Sequence, residues 1–294
     1  MGDRGTVGFV GLGNMGAPMA GRLARAGYSV RGHDADAASM TVLDELPGAV
    51  PAPTAAAAAE GADAVVLMLP TSDVVEAVLD GGLRDALAPG TVLVDMGSSD
   101  PVRTRALAPG IGERGAALVD APVSGGVAGA RNGTLTIMAG GDPEPVERVR
   151  PLLEVLGGKV LHVGPVAAGH ALKALNNLMS AAHLLVSSEA LEAGHAFGLD
   201  YEVMLEAVNG SSGRSGSTQV KWPVHVLPGG FDSGFGLGLM LKDMRTAVGL
   251  AAASGRPARL GAAAVDLWAE AARDLPGDAD HTEIVRWLRN GEQR

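Results

Sequence analysis

The chain contains no cysteine, which excludes disulfides, thiolate zinc sites, iron–sulfur clusters and cysteine nucleophiles. Aromatic residues make up only 3 %, too few for a platform that stacks nucleic-acid bases. Basic residues are outnumbered 23 to 33 by acidic ones, giving a formal charge of −10. With no basic block to meet a phosphate backbone, a nucleic-acid partner is not expected. No run approaches the ~18 apolar residues that span a bilayer, so no membrane partner is expected either. The histidines (His33, His162, His170, His183, His195, His225 and His281) show no tight ligand spacing, and no metal site is expected. Together these absences suit a cytoplasmic protein.

What is present is a globular composition. Apolar residues reach 47 % and charged residues 19 %, enough to bury a large core. A length of 294 residues exceeds what one core usually supports, so two domains are expected. The start, Met1-Gly2-Asp3-Arg4-Gly5-Thr6, fits a loose myristoylation template. Arg4 followed by an apolar run to Ala20 also has the outline of a signal peptide. The glycine pattern described below explains both segments better, and neither targeting role is expected.

Through the first half, short apolar runs alternate with helix-like segments, the pattern of a parallel sheet covered on both faces. Strands are expected at Thr6–Val10, Tyr28–His33, Ala64–Leu69, Thr91–Asp95, Ala116–Val119, Thr134–Ala139 and Lys159–Val163. Helices are expected at Asn14–Ala26 and at Ala55–Glu60 behind a Thr54 cap. Asp100-Pro101 and Asp142-Pro143 each read as a helix start, with a capping carboxylate before a proline at the first position. After Gly164-Pro165 the texture changes. Apolar residues recur at 172, 175, 179, 182, 186 and 190, the period of one long helix from Ala167 to about Phe197. Further helices are expected at Tyr201–Val208, Leu237–Ala252, Leu260–Ala271 and Thr282–Leu288, with Asn209–Ser233 a looser segment. The domains are therefore expected to be 1–165, dinucleotide-binding, and 166–294, all-helical.

Three constellations carry chemistry. In Gly11-Leu12-Gly13-Asn14-Met15-Gly16, the first glycine permits a tight turn, the second lets backbone approach a pyrophosphate, and the third lets the helix pack on the strand. An ordinary turn would use the same residues, but this motif follows a strand and opens a helix. Asp34 then ends the next strand, where a carboxylate can accept ribose hydroxyls. That carboxylate repels a 2′-phosphate, and Ala35 and Asp36 supply no cation, so NAD is favoured with NADP possible. The second constellation, Asp120-Ala121-Pro122-Val123-Ser124-Gly125-Gly126, leaves a strand with a hydroxyl and two exposed N–H groups that can receive a small carboxylate. A plain strand-to-loop turn fits it equally well. The third, Lys173 and Asn177, shares one helix face. Its lysine can exchange a proton with an alkoxide, although by spacing alone a surface lysine with a solvated asparagine is the more ordinary reading.

Taken together, GFVGLGNMGAPMA (8–20), VLMLPTS (66–72), DAPVSGGVAGARNGTLTIMAGG (120–141), GHALKALNN (169–177) and LMLKDMRTA (239–247) resemble the β-hydroxyacid dehydrogenases. That group includes 3-hydroxyisobutyrate dehydrogenase and tartronate semialdehyde reductase. The resemblance covers nearly the whole chain. It implies an α/β Rossmann domain followed by an all-α C-terminal domain joined by a long interdomain helix, assembled as a homodimer or homotetramer. It also implies a catalytic Lys173, a substrate-orienting Asn177, and a Ser124-Gly125-Gly126 loop for the substrate carboxylate. Cofactor contacts are implied at Leu69, Pro70 and Lys242, and at Ser98 in a Met96-Gly97-Ser98 stretch that departs from the family's serine–serine–threonine run. Related members that use NADP carry Asn-Arg-Thr where this chain has Asp34-Ala35-Asp36. The expected activity is NAD-dependent interconversion of a small 3-hydroxy acid and its semialdehyde. The competing readings are a reductase of succinic semialdehyde, sulfolactaldehyde or imines, a 6-phosphogluconate type, and a scaffold that binds cofactor without turnover.

Overall fold

The structure, a computed structural model, describes residues 4–291. Met1–Asp3, where the acylation-like template begins, lies outside the described residues. The chain separates into two compact units, Met1–Lys173 and Ala174–Arg294.

The first unit is built on one sheet of nine strands: β1 Thr6–Val10, β2 Ser29–His33, β3 Ala49–Pro51, β4 Ala64–Leu67, β5 Val92–Asp95, β6 Ala117–Asp120, β7 Val123–Ser124, β8 Leu135–Gly140 and β9 Gly157–Gly164. Their order is β3-β2-β1-β4-β5-β6-β8-β7, with β9 beside β8. From β3 to β6 every pairing is parallel. The expected parallel sheet is thus present, and at its far end β8 runs antiparallel to β6 and β7. The short β7 continues the direction of β6, and the chain reverses through the helix Gly126–Asn132 before it enters β8.

Both faces of this sheet are covered, and the continuous apolar strands distribute their side chains accordingly. Val7, Phe9, Val66, Val92 and Val94 join one core with Met19 and Leu23 of the helix Gly16–Arg25 and with Leu153. Val10, Val65, Leu67 and Leu93 turn to the other, among Leu79, Leu83 and Ile111. Expected caps hold. The Thr54 hydroxyl accepts from Ala57 N–H, and the Asp100 carboxylate accepts from Val102 and Arg103 N–H ahead of Pro101.

The second unit is helical. It receives the long helix Ala168–Ala196, which begins in the first unit, and adds Tyr201–Asn209, Leu237–Ala253, Arg259–Asp274 and Ile284–Gly291. Trp222, Trp268, Leu184, Met244 and Ile284 are fully buried in its core. Two expectations change here. Within the segment read as loose, Ser217–Val226 winds in wide π-type turns around Pro223 and buries Ser217, Thr218, Trp222 and Val226. Along the long helix, the apolar stripe that revealed its period is turned outward, with Leu172, Leu175, Met179 and Val186 exposed. The buried side is Ala174, Asn177, Ala181, Leu184 and Ser188. Among the described residues no helix is long and apolar enough to cross a membrane.

Candidate active site

The turn between β1 and the helix Gly16–Arg25 is fixed by its own backbone. Gly11 has φ +98°, a conformation that side-chain-bearing residues rarely adopt. A Cβ on Gly16 would stand 1.8 Å from the Gly11 carbonyl oxygen. These two glycines are therefore required by the protein itself. Gly13 is different. It is exposed, and nothing lies within 4 Å of where its Cβ would stand. The protein leaves open the place where a pyrophosphate would approach backbone. No side chain caps the following helix, whose first N–H groups suit an anion. Asn14 is exposed, Met15 is half-buried and Leu12 is buried.

Asp34 follows β2 directly. Its carboxylate accepts from Leu12 N–H at 2.6 Å and from Asp36 N–H at 2.8 Å. The glycine-rich turn and the acidic residue are thereby tied together, which their separation in sequence did not reveal. Arg31, the cation nearest in sequence, is occupied elsewhere, donating to the Glu60 carbonyl. These residues fit a dinucleotide whose ribose hydroxyls meet a carboxylate.

Beyond β4, Leu69 and Pro70 lead into the helix Ser72–Val78, and a Cβ on Gly97 would come within 2.5 Å of the Leu69 carbonyl oxygen. Ser98 lies in the loop after β5. Asp95 holds this loop, accepting from Gly97 N–H at 3.0 Å and from the Ser99 hydroxyl at 2.7 Å. Ser124 ends β7 and is half-buried, while Gly125 and Gly126 are exposed at the start of the helix Gly126–Asn132.

Three buried groups that the sequence reading did not assign anchor the long helix. The Asp120 carboxylate accepts from Ala167 N–H at 2.6 Å and from His170 N–H at 2.8 Å. It thus satisfies donors that a helix start leaves unpaired. Burial pushes the Asp120 carboxyl above its usual range, against the attraction of His170. The His170 imidazole is buried and shares a 2.8 Å hydrogen bond with the Thr104 hydroxyl. Its other nitrogen lies 3.8 Å from Asp95. The strand end that leads to the Ser124 loop is thus bound to the turn of helix preceding Lys173, and the end of β5 that carries the 96–99 loop lies beside it. Asp120 lies within the DAPVSGG segment, so the signal was in view without a role attached.

Lys173 is half-buried. Asn177, one turn later, is buried and committed. Its Nδ2 donates to Asp243 Oδ2 at 2.6 Å, and its Oδ1 accepts from Asn176 at 3.2 Å. Asp243 is buried in turn and pairs through Oδ1 with Lys242 Nζ at 3.1 Å. Asp243 of the Leu-Lys-Asp-Met stretch thereby holds Asn177, a connection that only the tertiary fold makes.

Two family models match the chain. Residues 6–164 match the NAD-binding domain of 6-phosphogluconate dehydrogenase. Residues 167–288 match the NAD-binding domain of NADP-dependent 3-hydroxyisobutyrate dehydrogenase. An NAD-dependent L-serine dehydrogenase of Pseudomonas aeruginosa is 40 % identical, covering 89 % of this chain and 90 % of its own length. A 2-(hydroxymethyl)glutarate dehydrogenase of Eubacterium barkeri is 38 % identical, covering 82 % and 81 %. Among solved structures, the 3-hydroxyisobutyrate dehydrogenase of Mycobacterium tuberculosis with L-serine superposes with TM-score 0.89 at 33 % identity, covering 97 % of this chain and 99 % of its own.

Proposed function

The chain belongs to the β-hydroxyacid dehydrogenase family and is an NAD- or NADP-dependent dehydrogenase of CH–OH groups; on that premise we propose that it interconverts a small 3-hydroxy acid of the 3-hydroxyisobutyrate or serine type and its semialdehyde. The observation that carries this reading is the placement of Lys173 and Asn177 on consecutive turns of one helix. Asp120 and His170 hold the start of that helix, and Asp243 fixes the asparagine.

Nicotinamide would supply the hydride acceptor or donor, and the residues we assign to its dinucleotide are Gly11–Gly16, Asp34, Leu69, Pro70, Ser98 and Lys242. Asp34 favours NAD, because its carboxylate accepts ribose hydroxyls and repels a 2′-phosphate. In the oxidation, Lys173 in its amine form takes the hydroxyl proton as the carbinol carbon gives up its hydride. In the reduction, its ammonium returns that proton to the alkoxide. Asn177 spends one N–H on Asp243, and its second N–H and a carbonyl lone pair are the groups that orient the substrate. The Ser124 hydroxyl and the N–H groups of Gly125 and Gly126 receive the carboxylate. The protein's part is orientation and charge. We read the protein as cytoplasmic and as a homodimer or homotetramer. The exposed stripe Leu172, Leu175, Met179 and Val186 supports the latter, being apolar surface that a second copy would cover.

The test is a panel of 3-hydroxyisobutyrate, L-serine, D-glycerate and L-threonate with NAD and with NADP, run on the wild type and Lys173→Ala. The variant is expected to bind NAD normally and to lose at least ~10²-fold in turnover. Near-normal turnover would remove the lysine from the mechanism. Tight NAD binding without turnover of any acid would favour a silent scaffold or a different substrate class.

A further inference from the structure

The wide-turned segment Ser217–Val226 does more than connect helices. Its inward residues are anchored, with Ser217, Thr218, Trp222 and Val226 buried, and with the Trp222 indole donating to Ser188 Oγ at 3.2 Å. Such π-type turns are costly and recur at functional sites. Anchored this way, the segment directs Lys221 onto the long helix, where its ammonium donates to Ser180 Oγ at 2.8 Å.

Ser180 stands three residues after Asn177 and seven after Lys173. At 100° per residue the three side chains fall within about 60° of arc, on neighbouring turns of one face. The Lys221 ammonium therefore sits about one turn along the helix from the amide that orients the substrate.

Burial lowers the Lys221 ammonium to about 8. A cation withdrawn from water is normally matched by an anion, yet among the described residues Lys221 forms no ion pair. Asp280 attracts it from a distance, but its carboxylate is engaged by Ser233, Gly234, Phe235 and Thr282. His281, held down at about 4 by burial and the Lys221 charge, is neutral and adds no second cation beside Lys221. The protein thus places a cation, attracted by Asp280 but in no ion pair among the described residues, about one helical turn from the residue proposed to orient the substrate.

We infer that Lys221 receives a second carboxylate of the substrate, at the end remote from the reacting carbinol, so that the enzyme favours dicarboxylic hydroxy acids over monoacids. This rests on the dehydrogenase reading above and names its substrate class. Side chains on adjacent turns have Cβ atoms ~5–6 Å apart, a distance that a compact diacid spans.

The experiment compares 3-hydroxyisobutyrate with 2-(hydroxymethyl)succinate, the same molecule carrying a carboxylate on its methyl group. Steady-state kinetics with NAD are measured for the wild type, Lys221→Met and Lys221→Arg. Each diacid affinity is also measured by calorimetry with NAD present, so that binding is read independently of turnover. The wild type is expected to prefer the diacid in kcat/KM. Lys221→Met should reduce that preference at least ~10-fold, chiefly through the diacid KM, as loss of a charged hydrogen bond predicts. Lys221→Arg should retain most of it. A folded Lys221→Met with unchanged preference and unchanged diacid affinity overturns the inference. Absence of turnover with both acids, combined with diacid binding that depends on Lys221, would overturn the small 3-hydroxy-acid reading and leave the anion site standing.

Discussion

Asn177 Nδ2 lies 2.6 Å from Asp243 Oδ2, a buried amide donating to a buried carboxylate. The same carboxylate meets Lys242, so one side chain positions two residues of the proposed site. Truncation to alanine removes the acceptor and leaves both neighbours without it, a loss that exceeds the net worth of either bond. Asp243→Ala is expected to reduce kcat ~10–100-fold. Asp243→Asn, which still presents a carbonyl oxygen to Asn177, should recover part of that. Parallel kinetics on both variants, with thermal melts to establish folding, check the expectation. A folded alanine variant with wild-type kcat would refute the positioning role.

Asp34 accepts two backbone N–H groups and is the residue proposed to meet the ribose hydroxyls. Asp34→Asn keeps an oxygen for Leu12 N–H while removing the negative charge. The ratio of NADP to NAD affinity should rise at least ~10-fold, because repulsion of the phosphate is lost. Fluorescence titration with both cofactors measures it, and an unchanged ratio would place the discrimination elsewhere.

Ala167 is fully buried with φ +76° while its N–H is held by Asp120. The left-handed conformation costs a side-chain-bearing residue ~1–2 kcal/mol, whereas glycine adopts it freely but loses ~0.5–1 kcal/mol in chain entropy. Ala167→Gly should therefore stabilise the protein by about 0.5–1 kcal/mol. That corresponds to a melting temperature higher by ~1–4 °C in calorimetry. A lower melting temperature would mean that packing of the methyl group outweighs the backbone strain.

His281 is neutral in the folded protein down to about pH 4, held there by burial and by the Lys221 charge. In an unfolded chain it would titrate near 6.5. Between those values the unfolded state binds the extra proton, so stability contributed by this residue is present above pH 6.5 and is lost as the pH falls toward 4. Asp280, lowered chiefly by its bonds to Thr282 and Ser233 against burial, adds a loss only in more acidic solution. The decline in melting temperature from pH 7 to pH 4.5 should be visibly smaller in His281→Asn than in the wild type. Parallel slopes in the two proteins would exclude this histidine as the source.

Much of this molecule was legible residue by residue. The β1 turn with its glycines, the caps at Thr54 and Asp100, Asp34 at the end of β2 and the long helix all depend on neighbours within a few positions. For such elements, periodicity and capping chemistry carry the information. The tertiary structure decided what lies far apart in sequence. It reversed β8 against β6 and β7, wound the Gly-, Ser- and Pro-bearing stretch around Trp222 into π-type turns, and brought Asp120 to the helix preceding Lys173. It joined Asp243 to Asn177 across 66 positions and Lys221 to Ser180 across 41. It also turned Leu172, Leu175, Met179 and Val186 outward, since a helical period identifies a face but not what covers it. Each of these pairings is selected by the burial and hydrogen-bond satisfaction of the whole fold, a constraint that no local window of sequence contains.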